Sequence, residues 1–134
     1  MAQRAIRALV ARVPGADRVL AEHLAEYEDE LLPYVLICDL ARFCVQAVAD
    51  GDDDVPRAIA EALEPMSTHP EIGVSGLVHE FTDTLFAHSD AGEREFAAVA
   101  ALRSLAPPAT AERVAMTLQW YGRADDGRPV PGRR

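Results

Sequence analysis

Residues 31–50 constrain this chain more than any other stretch: Leu-Leu-Pro-Tyr-Val-Leu-Ile-Cys-Asp-Leu-Ala-Arg-Phe-Cys-Val-Gln-Ala-Val-Ala-Asp. Pro33 stands where a first helical turn tolerates a missing N–H. Wound at about 100° per residue, the segment gathers Asp39, Arg42, Gln46 and Asp50 on one stripe roughly 80° wide. Leu36, Ile37, Leu40, Ala41, Phe43, Cys44, Ala47 and Val48 cover most of the remaining circumference. A helix apolar over so much of its surface belongs inside, wrapped by other elements. The expected centre of the molecule is therefore a buried helix over 33–49.

Proline, glycine and aspartate punctuation divides the rest into further helices. Ile6, Leu9, Val10 and Val13 recur at helical spacing until Pro14-Gly15. Asp17 is an N-cap for a second helix, with Val19, Leu20, Leu24 and Tyr27 on one face and Glu22, Glu26 and Glu30 on another. Asp52, Asp53 and Asp54 before Val55-Pro56 give an acid-capped start, and Ile59 and Leu63 a short stripe. Val74, Val78, Phe81 and Leu85 define a helix over 71–86, although Gly73–Val78 is open to a short strand. Ser89-Asp90 caps a sixth helix bearing Phe96, Val99 and Leu102, and Thr110 begins a seventh with Val114, Leu118 and Tyr121 on one side.

No strand–helix alternation is present, so a parallel sheet is not expected. The fold class is all-α, a single domain of about seven helices over residues 1–122, in a form that would also suit an irregular solenoid-like stack. Residues 123–134 hold Val130 as their one large apolar residue and are expected to be a disordered tail. At 134 residues the chain can bury its core without a disulfide or a structural metal.

Charge is unevenly spread. Residues 1–20 hold four Arg against Asp17, a net +3, whereas residues 21–64 hold twelve acids against Arg42 and Arg57, a net −10. An acidic body repels nucleic-acid phosphates and favours encounter with a basic partner. The four Arg near the N-terminus, without an aromatic among them, read as a solvated face rather than a membrane anchor. Cys38 and Cys44, about 9 Å apart along one helix, are too far apart for a disulfide and read as two buried thiols of a reducing cytoplasm. Neither a signal peptide nor a run of the ~20 apolar residues needed for a membrane span is visible.

Chemistry has few footholds. His79-Glu80-Phe81-Thr82-Asp83 resembles the H-E-x-x-H zinc helix, but Asp83 stands where the second His belongs and no third ligand is picked out by spacing. Asp50, Asp52, Asp54 and Glu61 match the acidic spacing of a calcium loop, with Val55 in place of the glycine that makes its sharp turn. Asp39 on a buried helix needs a partner, and Arg42 three residues on is in reach. Its plain role is a structural ion pair; partner binding or proton handling is the alternative. The acidic runs Glu26-Tyr27-Glu28-Asp29-Glu30 and Asp50–Asp54 read as solvated, helix-capping faces or as a surface for an Arg/Lys-rich partner, with Tyr27 as a contact anchor. No nucleophile elbow or phosphate loop is present, and no cofactor is expected.

Glu30-Leu31-Leu32-Pro33-Tyr34, followed by Cys38-Asp39-Leu40, resembles a family of small all-helical bacterial proteins of unknown function, some of them among predicted immunity proteins of polymorphic toxin systems. In that family a Leu-Pro-His segment leads into a hydrophobic helix with a Gly-Asp pair; Pro33 and Asp39 match it, while Tyr34 and Cys38 depart from it. The likeness runs loosely from Glu26 to Arg113. It implies a helical fold and brings no established activity. The expected function is a non-catalytic cytoplasmic protein-binding module, most concretely an acidic immunity- or antitoxin-like protein. Its interaction residues would be Glu26, Tyr27, Glu28, Asp29, Glu30, Asp39, Asp52, Asp53 and Asp54. The rivals are an adaptor packing through apolar helix faces and, third, an enzyme or a metal-dependent protein using His79, Glu80 and Asp83 or the Asp50–Glu61 loop.

Overall fold

The computed structural model describes residues 1–87 and 90–130. Among them run α1 (Ala2–Arg12), α2 (Ala16–Glu26), α3 (Pro33–Ala49), α4 (Asp54–Ala62), the single turn α5 (Glu64–Ser67), α6 (Ile72–Phe86), α7 (Glu93–Leu105) and α8 (Pro108–Trp120). Periodicity in the sequence reveals all but α5, because one turn is too short to carry a repeat.

The helix over 33–49 is the hub. Leu36, Ile37, Leu40, Ala41 and Cys44 are fully buried, and α3 packs against α1, α2, α4, α6 and α7. Each buried Leu or Ile contributes about 1.5–3 kcal/mol of apolar transfer. In a solenoid each unit touches only its sequence neighbours; here α6 and α7 reach back across the chain to α3, so the bundle is wrapped around one helix rather than stacked.

Helix α6 runs unbroken through Gly73 and Gly76, with no strand at 73–78, because Val74, Leu77, Val78 and Phe81 are buried at helical spacing. Gly76 admits the start of α3: a Cβ there would lie 2.9 Å from the Tyr34 hydroxyl, which donates to the Gly73 carbonyl at 3.4 Å.

Three helix starts differ from expectation. Helix α2 follows Gly15 in the left-handed conformation, and Asp17 sits inside its first turn instead of capping it. Helix α7 follows Gly92, whose N–H donates to Glu95 Oε1 at 2.8 Å. Of the expected Ser89-Asp90 cap, Ser89 lies outside the described residues, and Asp90 precedes the helix by three positions. Helix α8 begins at Pro108, before Thr110, because its free N–H groups are capped from a distance by Glu64.

Residues 123–130, expected as a disordered tail, fold back on the body. Arg123 and Pro129 form an isolated antiparallel bridge, and Gly127 packs so closely on Phe86 that a Cβ would lie 3.0 Å from that residue's own Cβ. Arg128 pairs with Glu93 and Asp126 and lies over the Phe96 ring at 5.2 Å. Charge pairing and a cation–π contact hold this segment, and hydropathy registers neither. Residues 131–134 lie outside the described residues. No described helix is long and apolar enough to cross a membrane.

Candidate functional site

Helices α2 and α3 are joined by residues 27–32, and a cleft of about 460 Å³ opens between them, lined by Arg18, Glu22, His23, Glu26, Asp39 and Arg42 among others. Two contacts set its ends. At one, the Phe43 ring closes over Gly15, where an added Cβ would be 3.1 Å from Cζ. At the other, Glu28 and Asp29 both take positive φ (54° and 66°), and the Asp29 N–H returns to the Leu24 carbonyl at 2.8 Å. Two consecutive non-glycine residues in the left-handed region cost about 1–2 kcal/mol each. The acidic run Glu26–Glu30 is thus a tight, strained reversal rather than a frayed helix end.

His23 organises the interior of the cleft. Its side chain is fully inaccessible, and Nε2 accepts the Leu32 N–H at 3.0 Å. The neutral ring therefore carries its proton on Nδ1. That nitrogen has no hydrogen-bond partner among the described residues and lies 3.8 Å from Asp39 Oδ2. Nε2 is thus committed to the backbone, and Nδ1 faces the Asp39 carboxylate without a hydrogen bond to it. The sequence holds a signal for it, since His23 lies four residues from both Val19 and Tyr27 on the inward face of α2.

Asp39 has the partner anticipated for it. Arg42 Nη1 donates to Oδ1 at 3.1 Å, with the Arg42 side chain 69% exposed and that of Asp39 35%. An ion pair so open to water contributes little to stability. Its arrangement nonetheless matters: one carboxylate oxygen faces a buried imidazole, the other a guanidinium at the surface.

The structure brings Glu26 and Asp39 together in the cleft, with Glu28, Asp29 and Glu30 in the adjoining turn. It does not bring Asp52, Asp53 and Asp54 there, because they follow the far end of α3, about 25 Å away by helical rise. Tyr27, expected as a contact anchor, is half-buried against the His23 ring, with centroids 4.8 Å apart.

The calcium-like spacing does not close a loop. Helix α4 starts at Asp54 and carries Val55 and Glu61 in helical geometry, Asp52 Oδ1 accepts the N–H groups of Asp54 and Val55, and Asp50 accepts from Gln46. The zinc-like segment is likewise diverted. His79 Nδ1 lies 3.3 Å from the Thr117 hydroxyl and its ring stacks with Tyr121, while Asp83 Oδ1 is buried without a partner among the described residues. No group of three or more His, Cys, Asp or Glu residues is placed to hold a metal among the described residues.

The two cysteines part company. Cys44 is fully buried, and burial pushes its thiol up to about 12. Cys38, expected to be buried too, is partly accessible: its Sγ donates to the Tyr34 carbonyl at 3.2 Å and lies 3.3 Å from the Thr84 hydroxyl. The α3 surface at Cys38 belongs to the border of the polar stripe, adjacent to Asp39.

Comparison with protein-family models, with curated proteins and with solved structures finds no match to this chain.

Proposed function

We propose that this chain is a non-catalytic protein-binding module of the cytoplasm that receives a basic segment of its partner in the α2–α3 cleft. The observation that carries the proposal is Asp39: a part-exposed carboxylate, backed by buried His23, whose ion partner Arg42 is itself mostly in solvent. Arg42 occupies the place a partner's guanidinium would take, and exchanging one exposed pair for another costs little in desolvation. Glu22 and Glu26 on the facing helix add two acceptors for Arg or Lys side chains. The net −10 over residues 21–64 steers such a segment to the site. In its most concrete version the protein is immunity- or antitoxin-like, with its acidic surface covering a basic toxin. The two free thiols fit a reducing compartment.

The test is a titration with an Arg-rich peptide, followed residue by residue by NMR. Saturable shifts centred on His23, Asp39 and Glu26 are expected, weakening as salt rises. Asp39→Asn with Glu22→Gln should lower affinity at least tenfold, and Asp53→Asn with Asp54→Asn should barely change it. Shifts shared equally between the two acidic ends of α3 would reject the cleft.

A second reading, an adaptor docking through an apolar helix face, is favoured by Met116 and Trp120. They stand four residues apart on α8 and are 53% and 82% exposed. Trp120→Ala would abolish partner binding on that reading and leave it intact on the first.

A further inference from the structure

On the side of the molecule formed by α1 and the α4–α5 corner, a second cavity has the opposite chemistry. It is a slot of about 240 Å³ with apolar walls, Leu9 and Ala8 from α1 facing Ala62, Pro65 and Met66, and with Arg4, Arg12 and His69 at its edges. Its walls are built from residues that the amphipathic pattern of α1 cannot bury alone: Leu9 and Met66 are core, but Ala8 is exposed between the two arginines.

The rim is electrostatically unfinished. Arg4, Ala8 and Arg12 follow one another at four-residue spacing, so the arginines bracket the slot on one face of α1. Neither takes part in an ion pair among the described residues, whereas Arg42, Arg103 and Arg128 each do. His69 Nδ1 accepts the Glu71 N–H at 3.1 Å, which leaves the proton of the neutral ring on Nε2 as a further donor. At physiological salt the Debye length is about 8 Å, so charges lying farther than that from the slot are largely screened there.

We infer that this slot binds a small apolar carboxylate, an acyl or aryl chain lying against Ala8, Ala62 and Met66 with its anion on Arg4 or Arg12. The size suits such a ligand. A dry cavity of about 150 Å³ already admits benzene, and drug-sized ligands need roughly 300 Å³ or more. Burying the chain supplies the affinity, and a guanidinium–carboxylate contact selects the sign of the head group. This site is separate from the α2–α3 cleft in both place and charge, so either can fail without the other.

The experiment titrates the full chain with decanoate, decanol and decyltrimethylammonium below their micellar concentrations, reading NMR shifts of the Met66 methyl and the Ala8 and His69 amides. Decanoate should saturate these signals at least tenfold more tightly than decanol, and the cation should not bind. Arg4→Gln with Arg12→Gln should bring decanoate to the level of decanol. Ala8→Trp, at an exposed position on the slot wall, should fill the slot and exclude both. Equal binding of decanoate and decanol to the unaltered chain, shifts centred elsewhere, or no saturation would overturn the inference. So would a synthetic acidic amphipathic helix that occupies the slot when decanoate does not, since that outcome assigns it to a protein partner.

Discussion

Glu64 and Thr110 are 46 residues apart in sequence and joined by two hydrogen bonds: Glu64 Oε2 accepts the Thr110 N–H and the Thr110 hydroxyl, each at 2.8 Å. A third, from the Ala109 N–H to Oε1 at 2.9 Å, completes a cap on α8 donated by a different helix. Burial alone would raise the Glu64 carboxyl, but the bonds from Thr110 and Ala109 outweigh it and hold the group below its ordinary value of 4.5. A depressed carboxyl adds stability that is complete above the unfolded-state pKa and is lost as pH falls through the folded-state value. Glu64→Ala removes these capping hydrogen bonds and should cost about 1–2 kcal/mol at neutral pH. In urea unfolding, the gap between the parent and Glu64→Gln should shrink as the buffer is taken from pH 7 to below 4.5. A gap independent of pH would show that the carboxylate charge is not what caps α8.

His23 and Asp39 should separate stability from binding. His23→Ala opens a cavity and strands the Leu32 N–H, for a loss of about 2–4 kcal/mol. Asp39→Asn removes a largely solvated ion pair and the charge facing His23 Nδ1, and should stay within about 1 kcal/mol of the parent while weakening the peptide shifts in the cleft. Denaturant midpoints and the peptide titration decide this together; a large loss of stability in Asp39→Asn would make Asp39 structural.

Gly15 carries two demands at once, a φ of +82° and a Phe43 ring 3.1 Å from where a Cβ would stand. Gly15→Ala should cost about 2 kcal/mol, combining left-handed strain with the displaced ring. Phe43→Leu in the Gly15→Ala background should recover the packing share and leave the backbone share, which a double-mutant cycle in thermal unfolding would resolve.

Thiol labelling should find two populations. Cys38 is partly accessible and should react under native conditions, whereas Cys44, buried and with its thiol pushed up to about 12, should react only on unfolding. Mass spectrometry of the labelled chain checks the assignment, and native modification of Cys44 would mean that α3 is not enclosed.

Much of the architecture is legible in the sequence because it depends on local spacing. The apolar circumference of residues 36–48, Pro33 at its first turn and the breaks at Pro14-Gly15 and Pro107-Pro108 are enough for a helical bundle around one buried rod. The Asp39–Arg42 pair is legible for the same reason, lying within one helical turn. Local spacing also misleads. It places a cap at Asp17, where Gly15 does the work of turning the chain, and a loose tail after Gly122, where Arg128 finds Glu93.

What the tertiary structure alone decided are the relationships between residues far apart in the chain. Glu64 caps α8, Phe43 meets Gly15, and Arg4 and Arg12 flank a slot whose other wall comes from residues 62–66. His23 lies on the inward face of α2 by its spacing, but only the packing of α2 on α3 places its Nδ1 toward Asp39. The physical reason is common to all four. Helix periodicity records which face of a segment avoids water, whereas polar partners are chosen by how those faces are brought together, and that choice leaves no period in the sequence.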